Sequence, residues 1–225
     1  MKAFALMASI ALASSSVALA GFDPAQEITM HMEAVDTPAD VLERIQDTAI
    51  TAETTGFSDE EVDIDQIINI AKKVWTVIEA NKPVVNIKYH FANALPQGVT
   101  SSAALAGFSD IETRSVRLWG TNGFGITVYD VTLTTVHQYG GNYNGKGKYL
   151  ETVTILPSNV NVLWGYTVNY TVDNVSVLNG GSSEDPIAMI SLQAKFKVET
   201  VLQTTEVNTV YQFRGDSPTV KTSGI

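Results

Sequence analysis

Residues 159–172 read NVNVLWGYTVNYTV, and the alternation in that stretch decides the fold class. Val160, Val162, Trp164, Tyr166, Val168, Tyr170 and Val172 fall on one face of an extended chain. Asn161, Gly165, Thr167, Asn169 and Thr171 fall on the other. Successive side chains leave a pleated strand on opposite sides, so a period of two is the period of β-structure. One apolar face and one polar face mark an antiparallel sheet that covers a core on one side.

The same pattern extends in both directions. Ile190, Leu192, Ala194, Phe196 and Val198 alternate with Ser191, Gln193, Lys195, Lys197 and Glu199, and Val207, Thr209, Tyr211 and Phe213 repeat it. Upstream, Val85, Ile87, Tyr89 and Phe91 alternate with Asn86, Lys88 and His90. About seven long strands are expected, near 84–91, 113–119, 124–138, 148–156, 159–178, 187–202 and 206–214, with 92–112 as a connection. The apolar phase slips inside 124–138, where Ile126 and Val128 give way to Val131 and Leu133 and then to Val136. A slip flips every later side chain, so bulges are expected near Asp130 and Thr134–Thr135, and again near Asp173–Asn174. Leu118-Trp119-Gly120 recurs as Leu163-Trp164-Gly165, a faint echo that duplicated strands would produce, although Val/Thr-rich strands also resemble one another by composition.

Before Pro83 the period is helical. Thr37-Pro38-Ala39-Asp40 has a cap residue followed by proline, which suits a first helical turn, and Val41, Leu42 and Ile45 follow on one face. Ser58-Asp59-Glu60-Glu61 is a capping box, and Ile64, Ile67, Ile68, Ala71, Trp75 and Ile78 continue at helical spacing. The first twenty residues, MKAFALMASIALASSSVALA, have a basic start, an apolar run and Ala18-Leu19-Ala20, the pattern of a cleaved signal peptide. The expected organisation is a signal peptide over 1–20 and an acidic segment with a short helix over 21–57. An amphipathic helix over 58–82 and an antiparallel β-sandwich over 83–225 complete it. The fold class is mainly β, a sandwich of about seven strands preceded by two α-helices.

Composition narrows the function. The net charge of −10 argues against binding nucleic acid through its phosphates. Residues 21–65 hold 13 acids against Arg44 alone, which reads as a solvated acidic face. The absence of cysteine removes disulfides, thiolate metal sites and thiol catalysis. Beyond the leader, no stretch approaches the ~20 apolar residues of a spanning helix. Export to the periplasm or the extracellular space is expected, with no cofactor.

Three motifs resemble chemical sites. YGGNYNGKGKYL, residues 139–150, contains Gly140-x-x-x-x-Gly145-Lys146, most of a phosphate-binding loop. The magnesium-binding hydroxyl is replaced by Gly147 and a strand-like KYLETVTIL follows, so a β-hairpin rich in positive-φ residues is the better reading. Tyr139, Tyr143, Lys146 and Lys148 then become the candidate binding residues, because aromatic and cationic groups on a loop tip can meet sugars or headgroups. Met30-His31-Met32 offers soft ligands for copper, yet Ile28, Met30, Met32 and Ala34 alternate as a strand does. DEEVDID, residues 59–65, lacks the central glycine of a calcium loop and suits a helix start. His31, His90 and His137 are the only histidines; none accompanies a nucleophile motif, and surface positions are expected for His90 and His137.

The resulting expectation is an exported, non-catalytic protein of the bacterial envelope or extracellular space, with a binding or structural role. Its partners would be a glycan, a lipid headgroup or an envelope protein. The alternatives are a pore-forming β protein that inserts into membranes and a carbohydrate-active enzyme.

Overall fold

The computed structural model describes residues 27–39, 41–43, 85–88, 92–99 and 101–224. The expected signal peptide, the expected capping box at Ser58, the expected amphipathic helix over 58–82 and His90 lie outside the described residues. Ten strands form: β1 (Ile28–Val35), β2 (Val85–Lys88), β3 (Ala92–Ala94), β4 (Glu112–Asn122), β5 (Thr127–Tyr143), β6 (Lys146–Val162), β7 (Thr167–Asn179), β8 (Ala188–Glu199), β9 (Thr204–Arg214) and β10 (Ser217–Ser223). They make two five-stranded sheets, ordered β1-β4-β5-β6-β3 and β10-β9-β8-β7-β2. All pairings are antiparallel except β2 with β7, a parallel pair at the end of the second sheet. The chain is mainly β and sandwich-like, as the alternation predicts.

The core lies between the sheets and follows the period of two. Along β8, Ala188, Ile190, Leu192, Ala194, Phe196 and Val198 are buried, and each intervening residue is partly exposed. They join Val131, Leu133, Leu150, Val153 and Ile155 of the first sheet and Tyr170, Val172, Tyr211 and Phe213 of the second. Each large buried apolar side chain contributes about 1.5–3 kcal/mol relative to exposure.

Several expectations are corrected. The stretch 159–178 is not one strand. β6 ends at Val162, the chain turns through Leu163-Trp164-Gly165-Tyr166, and β7 begins at Thr167 in the other sheet. The apolar alternation survives the turn because Val160 and Val162 pack on the core from one sheet and Tyr166 and Val168 from the other. Gly165, at φ +92°, and the bond from Tyr166 N–H to the Leu163 carbonyl (3.2 Å) close the turn. β1 forms where the alternation of Ile28, Met30, Met32 and Ala34 suggests a strand, β10 is not among the expected strands, and 92–112 is more than a connection, since it contains β3 and a 3₁₀ turn at Ser102–Ala104.

The bulges are partly relocated. One occurs in β7 between Asn174 and Ser176, at the expected place. In β5 the break lies where Tyr129 and Thr127 face Gly120 and Thr121, so the extra residue is Val128 rather than Asp130. At Thr134–Thr135, β5 keeps unbroken pairing with β4. Val136 breaks the phase there because both faces of β5 are buried from Val131 to His137. On the outer face a cluster of hydroxyls holds the chain just past β1, where Thr37 continues the register of Val35 with Ser115. Thr37 Oγ1 donates to Thr113 Oγ1 (3.1 Å) and accepts from Ser115 Oγ (3.1 Å). Ser115 Oγ accepts from Thr134 Oγ1 at 2.8 Å, and Ser158 Oγ lies 3.1 Å from Thr134 Oγ1. Of the two expected helices, the described residues show one short helical turn, at residues 39 and 41–43. There the amides of Val41 and Leu42 bond to the Pro38 carbonyl. His137 is also corrected: it is 1 % exposed rather than superficial.

Candidate functional site

The tyrosine–lysine loop forms the β5–β6 hairpin. Asn144 (φ 52°) and Gly145 (φ 76°) make its two-residue turn, the left-handed pair that matches strand twist. The loop is anchored on both sides. Asn142 exchanges backbone bonds with Ala106 and donates its side-chain amide to the Ala106 carbonyl at 2.7 Å. The amides of Gly147 and Lys148 are taken by Asp185 Oδ1 and the Pro186 carbonyl, both at 2.8 Å. A carboxylate thus occupies an amide that a phosphate loop would aim at its ligand. Tyr143 and Lys146 face each other at the exposed tip. Tyr139 does not join them: it is half-buried against the core, its ring 6.2 Å from that of His137. Lys148 is exposed but bridges to Ile187 along the neighbouring loop. The four residues form no single site.

The opposite end of the sandwich is different in kind. Strand pairing brings three turns there together: residues 123–126 between β4 and β5, 163–166 between β6 and β7, and 200–203 between β8 and β9. Their outward side chains are Phe124, Ile126, Leu163, Trp164, Val201 and Leu202, all exposed, with Trp164 at 89 % and Val201 at 93 %. None of the twelve turn residues is charged. Isolated exposed apolar residues are ordinary, whereas six on three uncharged turns at one end of the sandwich mark a candidate interaction surface.

Much of the backbone of these turns is bonded within the protein. Asn122 Oδ1 accepts from the amides of Phe124 (3.1 Å) and Ile126 (3.0 Å), and Gly125 N–H bonds to the Asn122 carbonyl. Leu163 N–H bonds to the Val128 carbonyl, which ties the second turn to the first hairpin. Thr200 N–H bonds to the Gln203 carbonyl, and Thr200 Oγ1 accepts from Leu202 and Gln203. Eight of the twelve turn amides thus have protein acceptors, which lowers the cost of bringing these tips near an apolar medium. The sequence carried a signal for this site in the glycine after Leu163-Trp164, a turn residue inside an otherwise apolar alternation.

Just beneath the first two turns, the outer face of the first sheet carries a polar array. His31 of β1 and Trp119 of β4 are paired, their rings stacked at 5.0 Å and 17°. His31 Nε2 lies 3.2 Å from Thr121 Oγ1. Arg117 sits two residues along, 4.8 Å from the Trp119 ring centroid, a cation–π distance. Its guanidinium donates to both oxygens of Asp130 (2.9 and 2.7 Å) and to Glu33 Oε1 (3.2 Å). The bond to Asp130, and then that to Glu33, hold Arg117 well above its usual range. Asn161, opposite Asp130, donates to Asn159 Oδ1 (3.1 Å), and both are exposed. The residues that suggested copper chemistry therefore form a strand whose histidine stacks on tryptophan.

Among the described residues no group of three His, Asp or Glu side chains is placed to hold a metal ion, and no helix is long and apolar enough to cross a membrane. Compared with known protein families, curated proteins and solved structures, the chain matches none.

Proposed function

We propose that this is an exported, non-catalytic β-sandwich that docks on a lipid surface through the end formed by its three uncharged turns. The observation that carries the reading is the shared position of Phe124, Ile126, Leu163, Trp164, Val201 and Leu202, all exposed, on three uncharged turns at one end of the sandwich. Tryptophan favours the membrane interface, where its ring is apolar and its N–H stays wet. A bilayer needs no shape complementarity, only apolar tips that reach past the headgroups without charge. The sequence supports export through its leader-like first twenty residues and offers no nucleophile or metal motif.

The net charge of −10 implies attachment by apolar burial rather than by attraction to anionic lipid. Co-sedimentation with zwitterionic vesicles should therefore persist at high salt, and Trp164→Asp with Leu202→Asp should abolish it. Leakage of an entrapped dye would indicate pore formation and contradict surface docking. A dimer that dissociates on the same substitutions, with no vesicle binding, would assign the end to self-association and overturn the proposal.

A further inference from the structure

We propose that the open edge of β7 pairs with the same edge of a second copy of this chain. β2 lies beside β7 only from Val168 to Thr171. Among the described residues, no strand pairs with β7 beyond that point on the side away from β8, so its outward backbone groups lack a ladder partner from Asp173 to Asn179. The other sheet edges are defended. β2 and β3 have only four and three residues. β1 carries Glu33, and β10 carries Pro218 and Lys221 with a register shift. The open stretch of β7, DNVSVLN, has no proline and one charge, Asp173, which is bonded to Lys195 at 3.1 Å. Its one defence is the bulge at Val175, and that side chain is apolar and exposed, as are Val177 and Leu178.

The stretch is complementary to itself. An antiparallel partner centred on Ser176 sets Val175 against Val177, Asn174 against Leu178 and Asp173 against Asn179. Apolar side chains meet, and like charges do not. A two-fold interface requires that each residue accept its counterpart in both directions, which this order satisfies. The stretch also fills the edge between the end of β2 and the turn that leaves β7. So short a ladder is a small contact, and the dimer dissociates on dilution. Antiparallel pairing sends the uncharged turns at the start of β7 to opposite poles of the dimer. With those turns docked on lipid, the dimer bridges two bilayers; that consequence rests on the docking reading, and the pairing does not.

Ser176→Cys supplies the test, since the chain has no cysteine of its own. Directly opposed residues have Cα atoms about 4.5–5.5 Å apart, within the span of a disulfide. Mild oxidation should give a covalent dimer, whereas Ser191→Cys, one strand further in on β8, should stay monomeric. Separately, sedimentation of the wild type at up to about 1 mM should show a reversible dimer. Val175→Lys with Val177→Lys should raise its dissociation constant at least ~10-fold, since like charges then face each other. Mixing that variant with Val175→Glu, Val177→Glu protein should restore a heterodimer. Wild type should cluster zwitterionic vesicles, and the lysine variant should bind them without clustering. Crosslinking without vesicle binding would support the pairing and count against the docking alone. A wild type monomeric throughout, a Ser176→Cys chain that oxidation leaves monomeric, or a dimer indifferent to the lysines would each overturn the proposal. A monomer whose Ser176→Cys thiol also resists alkylation would assign the edge to residues 44–84 of the same chain.

Discussion

His137 is 1 % exposed, and neither ring nitrogen has a protein partner among the described residues. Its ring packs edge-on against Phe213 at 5.2 Å and lies beside Tyr139. Burial, and then the nearby charge of Arg114, depress its pKa from 6.5 to about 4. Above pH 6.5 the imidazole is neutral in folded and unfolded chains alike, and the effect vanishes. Between pH 6.5 and about 4 the unfolded chain takes up a proton that the folded chain refuses, so stability falls as pH falls. Each pH unit across that gap is worth about 1.4 kcal/mol, so the loss amounts to about 3 kcal/mol. For a domain of this size that is roughly 6–12 °C in midpoint. Glu151 acts in the opposite sense. Burial raises its pKa, so its proton uptake favours the folded chain as pH falls. The comparison is therefore between the wild type and His137→Phe, which keeps an aromatic ring against Phe213. Thermal melts across this range should show the wild type losing stability more steeply than the variant. Parallel curves would refute the assignment of His137 as a buried neutral group.

Other consequences follow from the packing. Phe213→Ala removes a fully buried ring from the core and should cost about 3–5 kcal/mol in chemical unfolding. Gly120→Ala would drive a Cβ into the Tyr129 ring and should destabilise the β4–β5 pairing, seen as a lowered melting midpoint. Thr152, a β-branched residue at φ 55° beside a register shift in β6, should yield about 1 kcal/mol of added stability when replaced by glycine, measured by urea titration. Tyr143→Ala with Lys146→Ala should leave stability within about 0.5 kcal/mol, since both side chains are exposed at the hairpin tip.

The β architecture was legible because alternation is a local property of the chain. Residues 190–199 show it without a fault, and β8 follows them closely. Alternation does not reveal where a strand stops when the chain re-enters the same core from the opposite sheet. Trp164 was therefore placed in a strand interior, although it stands at a turn. The phase break at Val136 has the same kind of cause: the outer face of β5 is also buried, and sequence carries no label for a second covering layer. The hairpin between β5 and β6 was readable from its asparagines and glycines, but not its two-residue turn at Asn144-Gly145, because the strands run on through Tyr143 and from Lys146. The polar array was not, because His31 and Glu33 of β1 meet Arg117 and Trp119 of β4 and Asp130 of β5 only through register.

The central claim concerns the three turns, and Trp164 reports on it directly. With zwitterionic vesicles containing lipids brominated along the acyl chains, tryptophan emission should be quenched on binding. Trp164→Phe should remove most of that quenching while leaving binding largely intact. Trp164→Ala should weaken partitioning by roughly one to two orders of magnitude, as expected for about 1.5–3 kcal/mol of lost apolar burial. Quenching that persists in Trp164→Phe, or vesicles that the wild-type protein ignores altogether, would contradict the account.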